Sequence, residues 1–145
     1  STPADSKVRT FQSPYPFGHK FHGLADQIGW RNLHNIYVSG TLDIAPSVTL
    51  NAQGHIFLRD KKQDGWYGTN GALIRGAGGS RHRVIGSEFD VQLNYRANKW
   101  VEFELGWGHF FAGGFVSDTV SGTGRGGENT HADMDFFWFA LYIRI

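Results

Sequence analysis

Three acidic side chains are of the type that acid–base catalysis requires. Glu102 and Glu104 are two residues apart, so a strand would place both on one face. Asp90 lies in the preceding segment and would approach them if the two segments pair. Two carboxyl groups whose pKa values differ can cleave a glycosidic bond. On a sheet that also carries Arg96 and Arg144, the same carboxylates are better explained as ion-pair partners. We therefore predict no catalytic residue and no enzyme.

Two further patterns suggest ligand sites but lack the context that such sites need. Residues 122–127 satisfy G-x-G-x-x-G, yet a polar loop and a strand surround them instead of the helix that would hold a phosphate. His19 and His22 are three residues apart, and Asp26 follows, but no cysteine or further carboxylate completes a zinc pattern. The sequence predicts no metal site and no cofactor.

The composition excludes several classes of protein. The chain has 145 residues, no cysteine and a formal charge of +1, which excludes a disulfide scaffold and gives no electrostatic case for nucleic acid. No apolar run approaches the roughly 20 residues of a spanning helix. The 20 glycines and the 15% aromatic content suit a β-protein with long loops.

Five segments alternate between apolar and polar side chains, which predicts five half-buried strands. The segments are 33–44, 48–59, 88–96, 99–111 and 134–145. In an outer-membrane barrel, one face of such strands meets lipid and the other lines a water-filled lumen. The predicted lumen-lining residues are Arg59, Glu88, Asp90, Arg96, Glu102, Glu104 and Arg144. The predicted lipid-facing residues are Phe89, Val91, Leu93, Val101, Phe103, Leu105, Phe137, Phe139, Leu141 and Ile143.

The connections between these segments alternate in length. Short turns at 45–47 and 97–98 predict hairpins, whereas 60–87 and 112–133 are long and rich in glycine. Outer-membrane barrels have short periplasmic turns and long outer loops. We therefore predict that residues 1–145 form one β-barrel segment, with 1–32 as an outer loop or N-terminal extension and 33–145 as five antiparallel strands. Bacterial single-chain barrels have an even number of strands, so we expect remaining barrel strands or a partner chain to complete the sheet.

Four stretches resemble one known family, and the first of them lies in a predicted loop that strand alternation does not explain. They are Tyr15–Asp26, Arg31–His34, His109–Gly113 and Asp133–Trp138. With them the chain resembles the C-terminal region of the alginate export family of outer-membrane β-barrel porins. The resemblance implies a channel for a polysaccharide or another hydrophilic solute. An alginate exporter would be expected to have a strongly basic lumen, and the predicted lumen face mixes both signs of charge.

Together these observations predict an all-β antiparallel outer-membrane β-barrel segment that takes part in passive transport or export of a hydrophilic solute, a polysaccharide such as alginate being one candidate. Its partners would be outer-membrane lipid, the solute and the strands that complete the barrel, and its location the bacterial outer membrane. Two alternatives remain open at this point. One is a soluble β-barrel that binds an apolar ligand with its faces reversed, and the other is a structural β-subunit of a membrane complex. The sequence does not identify the solute, the direction of transport, the strand count of the complete barrel or the oligomeric state.

Overall fold

Side-chain alternation with a period of two produces the long strands that dominate the fold. The computed structural model describes residues 21–120 and 133–145. Its elements, in chain order, are β1 (Leu33–Ala45), β2 (Val48–Arg59), β3 (Trp66–Tyr67), β4 (Leu73–Arg75), β5 (Val84–Arg96), β6 (Val101–Ala112), α1 (Gly114–Val120) and β7 (Met134–Ile143).

The five long strands form one antiparallel sheet in the order β1-β2-β5-β6-β7. Every neighbouring pair is antiparallel, so the prediction of an all-β antiparallel fold is confirmed. In the part of the chain that the structure describes, the sheet is open, with β1 and β7 at its edges. The short strands β3 and β4 pair separately as a small hairpin.

Two elements lie inside segments that the sequence predicted as loops. The hairpin β3–β4 lies between β2 and β5, and α1 follows β6. Strand β5 begins at Val84, four residues before its predicted start, and a bulge opposite Phe57 and Leu58 accommodates the extra residue Ile85. Among the described residues, no helix has the length and apolar character needed to cross a membrane.

The connections place different structures at the two ends of the sheet. At the turn end, residues 46–47 join β1 to β2 and residues 97–100 join β5 to β6. At the loop end, residues 60–83 and the segment after β6 make the long connections. The predicted contrast between short turns and long loops is therefore confirmed.

The two faces of the sheet differ in chemistry and in what covers them. The face that we call the polar face includes Ser39, Thr41, Asp43, Thr49, Asn51, Gln53, His55, Phe57, Arg59, Glu88, Asp90, Gln92, Asn94, Arg96, Glu102, Glu104, Gly106, Gly108, Phe110, Phe136, Trp138 and Tyr142. The opposite, apolar face includes Ile36, Val38, Leu42, Ile56, Phe89, Val91, Leu93, Val101, Phe103, Leu105, Phe137, Phe139, Leu141 and Ile143.

The hydrophobic core lies on the polar face, at the loop end. Phe57 and Phe110 project from the sheet and pack against side chains of the loops and of α1. The buried residues of this core are Ile28, Phe57, Trp66, Ile85, Phe110, Phe115 and Val116. Alternation along the strands puts Phe57 and Phe110 on the same face as the predicted lumen-lining residues, and the structure encloses both because the loops fold back over them.

Residues 21–32, which belong to the predicted outer loop or N-terminal extension 1–32, lie on the polar face. Ile28 is fully buried in the core. The Gly29 amide donates to the Tyr67 carbonyl at 2.8 Å, and the Trp66 indole N–H donates to the Gln27 carbonyl at 3.0 Å. We call residues 21–32 the inward segment.

Candidate functional site

The predicted lumen-lining residues all belong to the polar face, but they fall into two groups with different surroundings. In the loop half of this face, Arg59, Glu88 and Asp90 are buried. In the turn half, Arg96 is exposed, and Glu102 and Glu104 are partly exposed. Arg144 follows the end of β7 and is exposed. The sequence placed all seven in one mixed-charge surface, and the structure separates them.

Arg59 holds the loops together and does not border open space. Its side chain is fully buried, and its guanidinium donates to the carbonyls of Lys62, Asp64, Ser80 and His82. The guanidinium carbon also lies 3.9 Å from the centre of the Phe115 ring. The five N–H donors of arginine suit a cluster of carbonyl groups. The prediction that Arg59 lines a water-filled lumen is therefore wrong, because the 60–83 loop encloses it.

Glu88 and Asp90 form a buried carboxyl pair that holds the inward segment on the sheet. The amide of Ala25 donates to Glu88 Oε1 at 3.0 Å, and the amide of Leu24 reaches Asp90 Oδ2 at 3.4 Å. The side-chain amide of Gln53 donates from Nε2 to Asp90 Oδ2 at 3.2 Å. Among the hydrogen bonds of the described residues, Glu88 Oε2 and Asp90 Oδ1 have no partner.

Two glycines make this close approach possible. A Cβ at Gly23 would overlap the Glu88 carboxyl group, and Gly23 also has a φ of +81°, a conformation that other residues adopt only at a cost. Gly108 lies opposite Asp90 on β6, and a Cβ there would overlap the Asp90 carboxyl group. The backbone of the inward segment therefore reaches the carboxyl pair only because both positions lack side chains.

Two histidines lie in the same region. His22 is buried, its Nδ1 lies 3.2 Å from the Ile28 carbonyl, and its ring packs against Trp30 with centroids 4.2 Å apart. Burial lowers the pKa of His22 below its ordinary value, and the hydrogen bond to Ile28 opposes this effect only in part. His55 lies opposite Glu88 across β2 and β5 and stacks on the ring of Tyr37. The contacts of His22 are therefore internal to the inward segment, whereas those of His55 lie within the sheet.

A polar cavity opens beside the inward segment, near the middle of the sheet. Its volume is about 220 Å³. It is lined by Leu24, Ser39, Gly40, Thr41, Asn51, Ala52, Gln53, Asp90 and Gln92. Hydroxyl and amide groups dominate this lining, and they can both donate and accept hydrogen bonds. The cavity therefore suits a hydroxyl-rich solute or water better than an apolar ligand.

The turn half carries charged and aromatic side chains in contact with one another. Arg144 donates to Glu102 at 2.9 Å. The Trp138 indole N–H donates to Glu104 Oε1 at 2.8 Å, and the Tyr142 hydroxyl lies 3.4 Å from Glu104 Oε2. These contacts agree with ion-pair and hydrogen-bonding roles for the acidic residues. Asp90 lies level with Gly108, four residues along β6 from Glu104, so the three carboxylates considered for catalysis are not brought together.

The predicted lipid-facing residues lie together on the apolar face. Exposed fractions reach 69% for Phe137 and 66% for Phe139. Phe89, Leu105, Leu141 and Ile143 are also exposed, and Val91, Leu93, Val101 and Phe103 are partly exposed. None of the ten is enclosed in an interior among the residues that the structure describes. Such a large exposed apolar surface is characteristic of an interaction with lipid or with another protein.

Several important positions had no recognisable signal in the sequence. The alternation pattern gave no reason to place the Gly23–Ala25 backbone on the carboxyl pair, because it reflects only neighbours along one strand. Within the ranges 21–120 and 133–145, no group of three His, Cys, Asp or Glu side chains could hold a metal ion. His19 and the 122–127 glycine motif lie outside the described residues.

Comparison with known proteins gives one match. The sequence model of a family described as alginate export matches residues 1–127. This range includes three of the four stretches that carried the resemblance, and 133–138 lies beyond it. No curated protein and no solved structure matches the chain. Because the match covers most of the 145 residues, the chain belongs to the alginate export family.

Proposed function

We propose that this chain forms part of an outer-membrane β-barrel channel through which a hydrophilic solute passes. In this proposal the apolar face meets acyl chains and the polar face borders the water-filled path. The family is one of transport proteins and not of enzymes, which supports transport of a polysaccharide. Remaining barrel strands or a partner chain would pair with β1 and β7, and nucleic acid has no part in the function.

The observation that carries the proposal is the opposite chemistry of the two faces. One side of the sheet exposes large apolar side chains, including Ile36, Val38, Phe137 and Phe139. The other side carries hydroxyl, amide and charged groups around a polar cavity. Lipid outside and water inside is the arrangement that strand alternation provides in membrane barrels.

The inward segment would narrow the path on its loop side. It crosses the polar face as far as Asp90, near the middle of β5. The water-filled path would therefore run past Leu24, the polar cavity and the turn half. Passage of a solute would depend on the size of this opening and on the groups that line it.

The alternative of a soluble barrel with an apolar ligand has little support. It requires the apolar face to be enclosed, and Phe137 and Phe139 are about two-thirds exposed. A structural subunit of a membrane complex fits the open edges at β1 and β7, but it gives no reason for the polar cavity.

Charge reversal on the polar face tests the channel. We expect full-length protein in planar bilayers to conduct ions, and Glu102→Lys combined with Glu104→Lys to shift its selectivity from cations toward anions while folding is retained. Selectivity that remains unchanged after reversal of both charges would remove these side chains from the path.

A matched pair of substitutions tests which face meets lipid. Leu105→Arg on the apolar face should lower the free energy of unfolding in vesicles by about 2–4 kcal/mol, as arginine does near the bilayer midplane. Asn94→Arg introduces the same side chain at an adjacent level on the polar face. It should change the free energy of unfolding by less than about 1 kcal/mol. Equal effects of the two substitutions would contradict the assignment of faces.

A further inference from the structure

Two histidine–aspartate pairs interrupt the apolar face of the sheet. His34 on β1 lies 3.1 Å from Asp60, and His109 on β6 lies 2.9 Å from Asp135 of β7. Asp135 also accepts the Trp107 indole N–H at 3.0 Å. Within the described residues, the long strands place two further polar side chains on this face, Ser87 and Tyr95. The two pairs and Ser87 lie toward the loop end, whereas Tyr95 lies toward the turn end.

The two histidines are not level with each other on the strand ladder. His109 lies opposite Phe89, and Phe89 lies opposite Gly54 of β2. His34 lies opposite Leu58, four residues beyond Gly54 toward the loop end. A line drawn from His34 to His109 crosses three strand spacings, because β2 and β5 lie between β1 and β6, and it moves four residues toward the turn end. We call it the oblique line.

The slope of the oblique line matches the inclination of strands in a membrane barrel. Three strand spacings of about 4.8 Å give about 14 Å, and four residues at about 3.4 Å each also give about 14 Å. The line therefore makes an angle of about 45° with the perpendicular to the strands. Strands of outer-membrane barrels tilt by about 35–45°, so in such a barrel the oblique line would lie parallel to the membrane plane.

The turn end of the sheet is stepped in the same direction. Ala45, the last residue of β1, lies opposite Val48, which lies opposite Tyr95. Strand β6 begins at Val101, two residues nearer the turn end than Phe103, the partner of Tyr95. From β1 to β6 both ends of the apolar face are therefore displaced toward the turn side, as inclined strands that cross a layer require.

The length of strand below the oblique line fits the apolar layer of a membrane. From His34 to Ala45, β1 extends about 37 Å, and from His109 to Val101, β6 extends about 27 Å. At an inclination of about 45° these lengths correspond to heights of about 26 Å and about 19 Å, close to the apolar band of about 25 Å in outer-membrane barrels. Over this height the described strands place only apolar or aromatic side chains and glycine on this face.

We propose that the oblique line marks where the apolar face passes from acyl chains to lipid headgroups, with the strands inclined by about 45° to the membrane normal. Polar side chains are costly in hydrocarbon. At the level of the headgroups, the exposed side chains of His34, Asp60 and Asp135 can contact water and polar lipid groups. The partner that this surface fits is the headgroup layer of one leaflet. This inference rests on the proposed channel and specifies how the sheet lies in the bilayer.

Spin labels on single cysteines test the inclination, since the 145 residues contain no cysteine. Gly40 and Phe137 lie in one row of the ladder, joined through Ala52, Val91 and Trp107. The row spans four strand spacings, about 19 Å, so inclined strands should place a label at 40 about 14 Å further below the oblique line's plane than a label at 137. In vesicles of the full-length protein, oxygen accessibility should therefore be highest for Gly40→Cys, near the bilayer centre, and lower for Phe137→Cys.

A matched pair of arginine substitutions provides a second measurement. Val38 and His109 lie in one row, through Gly54 and Phe89, so upright strands would place them at the same depth. Arginine costs about 2–4 kcal/mol near the bilayer centre and about 0–1 kcal/mol near the interface. Val38→Arg should therefore lower the folded-to-unfolded ratio in vesicles about 30-fold or more, and His109→Arg about fivefold or less. Equal losses in the two variants would overturn the proposal.

The label experiment separates failure of the inclination from failure of the channel. Two labels at equal depth in hydrocarbon, or a deeper label at 137, would reject the inclination and leave the channel. Labels that a water-soluble relaxing agent reaches more readily than oxygen does would reject contact with acyl chains, and the proposed channel with it. Labels shielded from both agents would show that protein covers this face, which would also reject both.

Discussion

The two halves of the polar face have the same strands and the same alternation, yet one is closed and the other open. At the loop end, Phe57 and Phe110 are buried beneath the inward segment and α1. At the turn end, Arg96 and Tyr142 are exposed. Alternation therefore determines which face of the sheet a side chain lies on, whereas the loops determine whether that face is buried or exposed to water.

The cause of the difference lies in the side chains that each half presents. The loop half offers large apolar groups, Phe57, Ile85 and Phe110, that gain free energy when the loops cover them. The turn half offers Thr49, Asn51 and Asn94, which would lose contacts with water under the same cover. The loops therefore pack where burial is favourable and stop near Leu24.

Replacement of Arg59 in the loop half should lower the free energy of unfolding more than the other substitutions that compare the two halves. Arg59→Met leaves the carbonyls of Lys62, Asp64, Ser80 and His82 without their donor, which we expect to cost about 3 kcal/mol or more. Urea unfolding of the full-length protein in vesicles measures this loss, and proteolysis should become faster within 60–83. Arg96→Met in the turn half serves as the matched control and should change stability by about 0.5 kcal/mol or less. Similar losses in the two variants would contradict the contrast between the halves.

A side chain at position 23 should displace the inward segment. In Gly23→Ala, the new Cβ would overlap Glu88, and the φ of +81° would be strained, so we expect a loss of about 2 kcal/mol. Single-channel conductance should rise, because the narrowing segment is held less firmly. Gly40→Ala is the control, since nothing lies within 4 Å of a Cβ at that position. Unchanged conductance together with unchanged stability would show that the segment does not depend on this approach.

Acidification should lower the stability of the folded protein, because protonation of buried His22 in the loop half is unfavourable. Burial holds its pKa below the ordinary value of 6.5, so below about pH 6.5 the unfolded chain binds a proton more readily than the folded one. Stability then falls as the pH falls from 6.5 through the lowered pKa, and it is insensitive to this group above pH 6.5. Unfolding measured between pH 7.5 and 5 should show this slope, and His22→Phe should reduce it. A slope that persists unchanged in His22→Phe would assign the effect to another group.

The smallest change in the free energy of unfolding is expected for a substitution in the turn half of the polar face. Thr41 donates to Asn51 at 2.8 Å in an exposed position, and exposed polar contacts contribute little. Thr41→Val, which retains the strand-favouring branched shape, should change the free energy of unfolding by about 0.5 kcal/mol or less. A loss comparable with that of Gly23→Ala would mean that the turn half is also covered.

The strands and their faces could be predicted from the sequence because alternation depends only on local geometry. The predicted segment 48–59 agrees with β2 at both ends, and the predicted apolar face is the exposed one. The start of β5 could not be predicted, because Val84 and Gly86 join the strand through a bulge and pairing with β2. Neither could α1, since its seven residues begin at the second of two adjacent glycines in a segment of loop composition.

The site was predictable in part. The assignment of Glu88, Asp90, Glu102 and Glu104 to one face followed from their spacing. Glu88 and Asp90 are buried, whereas Glu102 and Glu104 are partly exposed, because the inward segment crosses the sheet only over the first pair. That contact joins positions more than 60 residues apart, so it leaves no local pattern in the sequence. The burial of Arg59 was missed for the same reason, because its carbonyl partners come from a loop of irregular sequence.

The position of Trp138 over Gly106 has an evolutionary consequence. The indole fills the space that any side chain at position 106 would need. In homologous sequences the two positions should therefore co-vary: a bulky residue at 106 should accompany a small one at 138, and an indole at 138 should accompany glycine at 106. An alignment deep enough to count such pairs would reveal which branches of the family retain the indole over glycine and which have replaced it.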